Sequence, residues 1–260
     1  MTLNTGILCR TRRTRKRGIG MNFKAKINGL DIDAVFRDED IENIYIPLLK
    51  RLSEMRKKKN GRVIVMLAAP PGVGKSTLSC FLQYLSENTE GVDPLTAIGM
   101  DGFHHYQKYL DAHETVRDGV TIPMAKIKGA PITFDLEKLT AKVKELAEGN
   151  PCMWPDYSRV IEDSVEDVHN VTGDIVLLEG NYLLLDEPGW RDLKNYADYT
   201  IRITAKEEDV RDRLIDRKSR SGKVTHEEAV RHVDYSDMYN FRLVSNYSMP
   251  ADLMLEITGI

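Results

Sequence analysis

Cysteine is scarce in this chain: three residues, Cys9, Cys80 and Cys152, an odd number with no close spacing. That count suggests neither a disulfide frame nor a zinc cluster, and it favours a reducing, cytoplasmic compartment. Long hydrophobic runs are also missing. The longest, Val63 to Ala69, is seven residues, far below the roughly 20 that carry a helix across a bilayer, so no membrane partner is expected. Internal repeats are absent, and so are low-complexity tracts beyond the first residues. With 42% hydrophobic and 30% charged residues in 260, the chain is neither disordered nor fibrous, and it fits one large domain or one domain with a small appendage.

Acids are missing from one place only. Residues 1–20 hold Arg10, Arg12, Arg13, Arg15, Lys16 and Arg17 and no Asp or Glu. The other 31 bases face all 40 acids, so the remainder has a net charge of −9. An acidic body argues against a nucleic-acid partner. The head lacks the apolar stretch of a secretory signal and reads as a basic disordered tail. Met21 opens sequence with a folded pattern, which leaves open whether residues 1–20 belong to the native protein.

Residues 21–61 read as a hairpin and a helix. Phe23 to Ile27 and Ile32 to Val35 flank Asn28-Gly29, a two-residue turn signal. Ile41, Ile44, Tyr45, Leu48, Leu49 and Leu52 follow at helical spacing up to Asn60-Gly61, with Pro47 predicting a kink or the true first turn. From residue 62 onward short apolar runs alternate with helical patterns. Val63–Leu67, Leu95–Met100, Ile175–Leu178, Tyr199–Ile203 and Leu253–Ile257 read as buried parallel strands. Helices are marked by Leu78, Phe81, Leu82 and Leu85, by Leu136 to Leu146 after Asp135, and by capping boxes at Thr204–Glu207 and Thr225–Glu228. The fold class is therefore α/β with a mostly parallel sheet.

The first strand leads into Ala69-Pro70-Pro71-Gly72-Val73-Gly74-Lys75-Ser76-Thr77 and then a helix. This is the phosphate-loop pattern in its proper context. Backbone N–H groups of Pro71-flanked Gly72, Val73 and Gly74 and of Lys75, Ser76 and Thr77 would surround phosphate oxygens at a helix N-terminus. Lys75 would reach the β- and γ-phosphates of ATP, and Ser76 would ligate Mg²⁺. Ala69 stands where a glycine is usual, which is tolerable at ordinary backbone angles. A second acid, Glu179, ends the Ile175–Leu178 run and is placed for the magnesium side of the site. Asp101, after the second strand, could accept or orient the proton of an attacking hydroxyl, or simply cap a turn.

The segments Ala69 to Thr77, Met100-Asp101-Gly102-Phe103-His104 and Leu178-Glu179-Gly180 together resemble the P-loop group of uridine kinase, phosphoribulokinase and bacterial type I pantothenate kinase. Within it, bacterial proteins described as nucleoside/nucleotide or sugar kinases are the closer match. Their pattern resembles Lys128 to Asp135, Trp154 to Arg159, Glu179 to Leu185 and Asp237 to Asn240, so the resemblance runs from residue 62 to 258. It implies a three-layer α/β/α P-loop kinase domain over 62–260, Asp101 as catalytic base and Glu179 as magnesium-side acid. It likewise implies that Arg213, Arg217 and Arg220 are lid arginines, although an expected Arg-Asp pair reads Arg217-Lys218 here. The residues themselves place Arg213 and Arg217 on one helix face and Arg220 in the following loop; a solvated face paired with Asp209, Asp212 and Asp216 is the alternative.

Phe103, His104, Tyr106, Tyr157 and Arg159 are the acceptor-pocket candidates, expected on loops at the sheet's carboxyl edge, with Trp154 as core or pocket wall. His104-His105 lacks further ligands at zinc spacing. Two functions remain: a small-molecule kinase acting on a sugar, nucleoside or pantothenate-like hydroxyl, or a regulatory nucleotide-binding protein without acceptor chemistry. No Asn-Lys-x-Asp segment reads guanine, which disfavours a GTPase. A homodimer is compatible with the sequence, and donor preference and acceptor identity are not legible in it.

Overall fold

The computed structural model describes residues 15–16, 20–27, 30–220 and 224–256. Its centre is a five-stranded, wholly parallel sheet in the order β11–β10–β3–β9–β4: β11 is Leu253–Glu256, β10 Tyr199–Thr204, β3 Val63–Ala68, β9 Ile175–Gly180 and β4 Leu95–Gly99. All six residues of β3 and all six of β9 are buried. Alternate side chains explain why these strands read as unbroken apolar runs. Val63, Val65, Leu67, Ile175 and Leu177 enter one core, and Ile64, Met66, Ala68, Val176 and Leu178 the other.

The first core is covered by α1 (Ile46–Lys58), α2 (Lys75–Glu87), α5 (Glu207–Arg220) and an N-terminal hairpin, β1 (Gly20–Ile27) with β2 (Leu30–Phe36). Phe36 stacks on Phe81 of α2 with centroids 3.7 Å apart, which ties hairpin to helix. The hairpin turn Asn28-Gly29 lies outside the described residues, but Ile27 faces Leu30 as a two-residue turn demands. Arg15–Lys16 pairs with Met21 and Gly20 as a short third strand, so the basic head is not wholly without structure; residues 1–14 and 17–19 lie outside the description. Pro47 falls in the first turn of α1, behind a π-helical turn at Ile41–Tyr45. The wide turn accommodates the missing N–H, and no kink is needed.

The second core is covered by α4 (Leu136–Ala147), the stretch Tyr182–Leu193 and part of α7 (Met238–Tyr247). Two further short helices are α3 (Gln107–Ala112), after β4 in the chain, and α6 (His226–His232), after α5. Of the two expected capping boxes, Thr225 forms one with Glu228. Thr204 does not. It ends β10, turns its hydroxyl to the Leu255 carbonyl at 3.4 Å, and α5 begins only at Glu207. Cys152 is a buried free thiol, and Cys80 is disulfide-bonded, which the cysteine count did not suggest. No helix among the described residues is long and apolar enough to cross a membrane.

Two antiparallel hairpins were not expected. One, β5 (Glu114–Arg117) with β6 (Val120–Pro123), turns at Asp118-Gly119, both with positive φ. The other, β7 (Cys152–Ser158) with β8 (Asp163–Val171), carries the segment that was expected to be loop. Its register shifts between Trp154 and Asp156, across Pro155. A proline cannot join the ladder, and a bulge absorbs it.

This second hairpin is seated on the turn after β4. Trp154 Nε1 donates to the Gly99 carbonyl at 2.8 Å, and Ser164 Oγ to the His104 carbonyl at 2.8 Å. A Cβ on Gly102 would lie 2.5 Å from the Pro155 carbonyl carbon and oxygen. Gly102→Ala should therefore lift the hairpin and cost about 1–3 kcal/mol, the usual range for overpacking. Denaturant unfolding checks this; an unchanged midpoint and slope would mean that the hairpin is not held at this contact.

Candidate active site

Three neighbouring strands end side by side, and each delivers chemistry. β3 runs into the phosphate loop, β9 ends at Glu179-Gly180, and β4 leads to Asp101 two residues past its end. Glu179 is level with Leu67 on one side and Gly99 on the other.

In the loop, Gly72 and Gly74 take φ values of +80° and +90°, which suit glycine alone. A Cβ on Gly72 would also strike Leu214 and Val210 of α5 at 2.8 and 2.9 Å. Ala69 keeps an ordinary backbone, so the missing glycine is harmless. Val73 is fully buried in the first core and offers only its backbone. Helix α2 starts at Lys75, so the free N–H groups of Lys75, Ser76 and Thr77 stand beyond Gly74 as an anion site. Pro71 lies in the turn before them.

Lys75 Nζ stands 3.8 Å from Glu179 Oε2, and Ser76 Oγ donates to Glu179 Oε1 at 2.7 Å. Glu179 is 6% exposed, and its Oε2 has no hydrogen-bond partner. A hydroxyl beside a carboxylate with an oxygen to spare is a donor set suited to a hard divalent cation, so Ser76 and Glu179 fit Mg²⁺. Burial, reinforced by the nearby Asp101 charge, raises the Glu179 pKa despite Lys75 and Ser76. For Asp101 burial pushes upward too, but Lys75, His104, Arg159 and Arg217 outweigh it and hold the carboxyl below its usual value. Asp101 is thus kept ionised.

The acceptor candidates divide. His104 lies beside Asp101: its Nδ1 is 2.8 Å from the Asp101 carbonyl, and its ring packs on Phe134. Burial lowers its pKa, which keeps it neutral near pH 7. Tyr157 is 5.2 Å from His104, ring to ring, and Lys128 Nζ lies 5.0 Å above its face. Burial, then Glu162, pushes the Tyr157 phenol up to about 12. Arg159 follows β7 and acts on Asp101, His104, Tyr157 and Glu179 alike. Phe103 is not a pocket residue: it is 1% exposed and packs edge-on against Trp154, itself core. Tyr106 points elsewhere, 48% exposed, with its hydroxyl on Glu166 at 2.7 Å.

The lid arginines divide as well. Arg217 is an exposed residue of α5 within electrostatic reach of Arg159, Asp237 and Asp101; the surrounding protein and then the Arg159 charge lower its pKa. Arg220 belongs to the last turn of α5, not a loop, and pairs with Asp216 at 2.8 Å. Arg213 donates to the Asp209 carbonyl at 3.0 Å. For Arg220 the salt-bridged face is what the structure shows, whereas Arg213 is held by its own helix and makes no ion pair among the described residues.

Sequence reasoning named no role for Asp156 and His169, which pair at 3.3 Å and line the same small cavity as Ser76, Asp101 and Glu179. Their strand signal is weak. It also left Asn240 without a role, although its buried Oδ1 has no partner.

The Phosphoribulokinase / Uridine kinase family model matches residues 64–240, more than half of the chain. The protein belongs to that family. "Uncharacterized protein YggC" of Escherichia coli (strain K12) is 39% identical over 239 residues, 92% of this chain and 96% of that one. "Putative uridine kinase C227.14" of Schizosaccharomyces pombe is 31% identical over 218 residues, 82% and 90% of the two chains. A crystal structure described as a "putative fructose transport system kinase from Silicibacter sp. TM1040" superposes with a TM-score of 0.71 at 31% identity, covering 80% of this chain and 97% of the other. The chain is a P-loop kinase by family and by fold.

A proton and a cation compete for Glu179. A carboxyl whose pKa is raised on folding stabilises the ligand-free fold fully below its unfolded pKa and loses that contribution as pH rises through the raised value. Magnesium with nucleotide should reverse the loss, so the magnesium-dependent gain in thermal stability should grow with pH across that window. Glu179→Gln should fold yet lose the magnesium-dependent part of the shift. A variant with the wild-type magnesium increment would remove Glu179 from the ligand set.

Proposed function

We propose that the protein transfers the γ-phosphoryl group of ATP, with Mg²⁺, to a hydroxyl of a small molecule such as a sugar, a nucleoside or a pantothenate-like acid. The observation that carries this reading is Asp101: a carboxylate that lines one cavity with Ser76 and Glu179 and is held below its usual pKa, chiefly by the phosphate-loop lysine. A regulatory nucleotide-binding protein has no use for such a group at that place.

Lys75 and the loop N–H groups hold the β- and γ-phosphates of the donor. Ser76 and Glu179 would hold magnesium, which would neutralise phosphate charge and polarise the phosphoryl group. Asp101 orients the acceptor hydroxyl and accepts its proton as the new O–P bond forms. Arg217 adds positive charge where charge spreads over the transferring phosphoryl oxygens. Neutral His104 and protonated Tyr157 line the acceptor side and offer hydrogen bonds. The names of its relatives, "Putative uridine kinase C227.14" and "putative fructose transport system kinase" among them, support a hydroxyl-bearing small molecule.

Incubation with ATP, magnesium and a pooled metabolite library should yield a product heavier by one phosphoryl group. Asp101→Asn keeps shape and hydrogen-bonding reach but removes the charge, so transfer should fall by roughly two to four orders of magnitude while ATP affinity barely changes. A well-folded variant with near wild-type transfer would remove Asp101 as the base. Lys75→Ala should abolish turnover and also weaken ATP binding. Equilibrium binding measured beside steady-state rates separates the two effects.

A further inference from the structure

The small cavity beside the phosphate loop is lined by three acids, Asp101, Asp156 and Glu179, and by Ser76, Ser79 and His169. No lysine or arginine lines it among the described residues. Lys75, 3.8 Å from Glu179, is the cation that nucleotide phosphates claim. Glu179 is 6% exposed, and its Oε2 has no hydrogen-bond partner. Carboxylates that share a cavity repel until a cation or a proton joins them. Asp101 and Glu179 have their uses as base and magnesium-side acid. Asp156 has none so far.

Close packing delivers Asp156 to this place. A Cβ on Gly102 would lie 2.7 Å from the Asp156 backbone nitrogen, so the hairpin is pressed onto the residue after Asp101. Trp154, two residues earlier, donates to the carbonyl of Gly99, which is level with Glu179. The strand then alternates. Tyr157 stands ring to ring with His104, and neither lines the cavity, whereas Asp156 does. Asp156 Oδ1 accepts from the Tyr157 N–H at 2.7 Å, and Oδ2 lies 3.3 Å from His169 Nε2 on the facing strand. These two contacts set the direction of the carboxyl and leave lone pairs free on both oxygens. Closing the bulge needs only the first of them, which Asn or Ser would supply equally. A carboxylate beside two others is an added cost that the hairpin alone does not explain.

We propose that Asp156, oriented by His169, is a third acid of the magnesium site and takes a hydrogen bond from water on the cation. Direct ligation is not its role, since among the described residues no group of three His, Cys, Asp or Glu side chains could hold a metal ion. Magnesium dehydrates reluctantly. A site offering one hydroxyl and one carboxylate leaves it carrying several waters, whose O–H groups need acceptors. The inference rests on the reading of Ser76 and Glu179 as magnesium ligands. It adds that the hairpin presenting Tyr157 to the acceptor also steadies the cation.

Manganese is the probe, titrated into the full chain with a non-hydrolysable ATP analogue while the free ion is followed by electron paramagnetic resonance. Asp156→Asn should weaken manganese binding roughly tenfold to a hundredfold, as loss of an outer hydrogen-bond partner does. His169→Gln should weaken it less, in the same direction. Without metal, analogue affinity in Asp156→Asn should hold or rise, because a negative charge near the phosphates has gone. A purely structural role for Asp156 would instead weaken analogue binding equally with and without metal, and that result overturns the inference. Asp156→Ser keeps an acceptor for the Tyr157 N–H and carries the test if the asparagine variant folds poorly. Wild-type manganese affinity in a folded Asp156 variant also overturns it; Glu179→Gln, run beside it and impaired, shows that the magnesium reading survives. If the wild type takes up no manganese with the analogue, the magnesium reading itself fails and this inference falls with it.

Discussion

Two carboxylates placed near one another in a region poor in water cannot both be comfortable as anions. Asp101 and Glu179 are such a pair, with Lys75 acting on both. The surrounding charges decide which acid stays ionised. Arg159 and Arg217 reinforce Lys75 around Asp101, whereas Glu179 is sunk deeper at the strand end. One acid is thereby made an anion ready for a proton, and the other is left short of a cation. That asymmetry is the basis of the chemical reading, and the geometry that produces it depends on very close backbone packing. A Cβ on Gly180 would overlap Met100, and one on Gly102 would overlap the hairpin backbone.

The sheet order supplies the rest. Residues 75, 101 and 179 are far apart in the chain, yet the order β3–β9–β4 sets their strands side by side, and parallel pairing makes all three end at the same edge. An antiparallel neighbour would have sent one of these groups to the far side. Ligand sites in open parallel sheets lie at this edge because strand ends, loop N–H groups and helix N-termini meet there.

The central strands and the phosphate loop were legible because their signals are local. Val63 to Ala69 is apolar throughout because both faces of β3 are covered, and the loop glycines are required by backbone angle. The β7–β8 hairpin was not legible. Its strands expose many polar side chains, a proline interrupts the first, and the bulge breaks the alternation that marks a strand. Side-chain direction was the other blind spot. Phe103 and His104 are adjacent in a motif, but one fills the core and the other is only part-buried, between Phe134 and Tyr157. The three lid arginines look equivalent at the level of spacing; local acids capture Arg220, and the helix's own carbonyl captures Arg213. Thr204 failed as a cap because β10 extends far enough to claim it.

The division between donor and acceptor machinery follows the division between core and periphery. Lys75, Ser76 and Glu179 stand on elements rooted in the two hydrophobic cores, where a change of backbone position would disturb many packed side chains at once. Tyr157 and Arg159 stand on a two-stranded hairpin that rests on the sheet edge through Trp154, Pro155 and Ser164. The hairpin is seated on the turn after β4 and contributes no strand to the central sheet, so it can vary while the elements carrying the phosphate loop stay fixed.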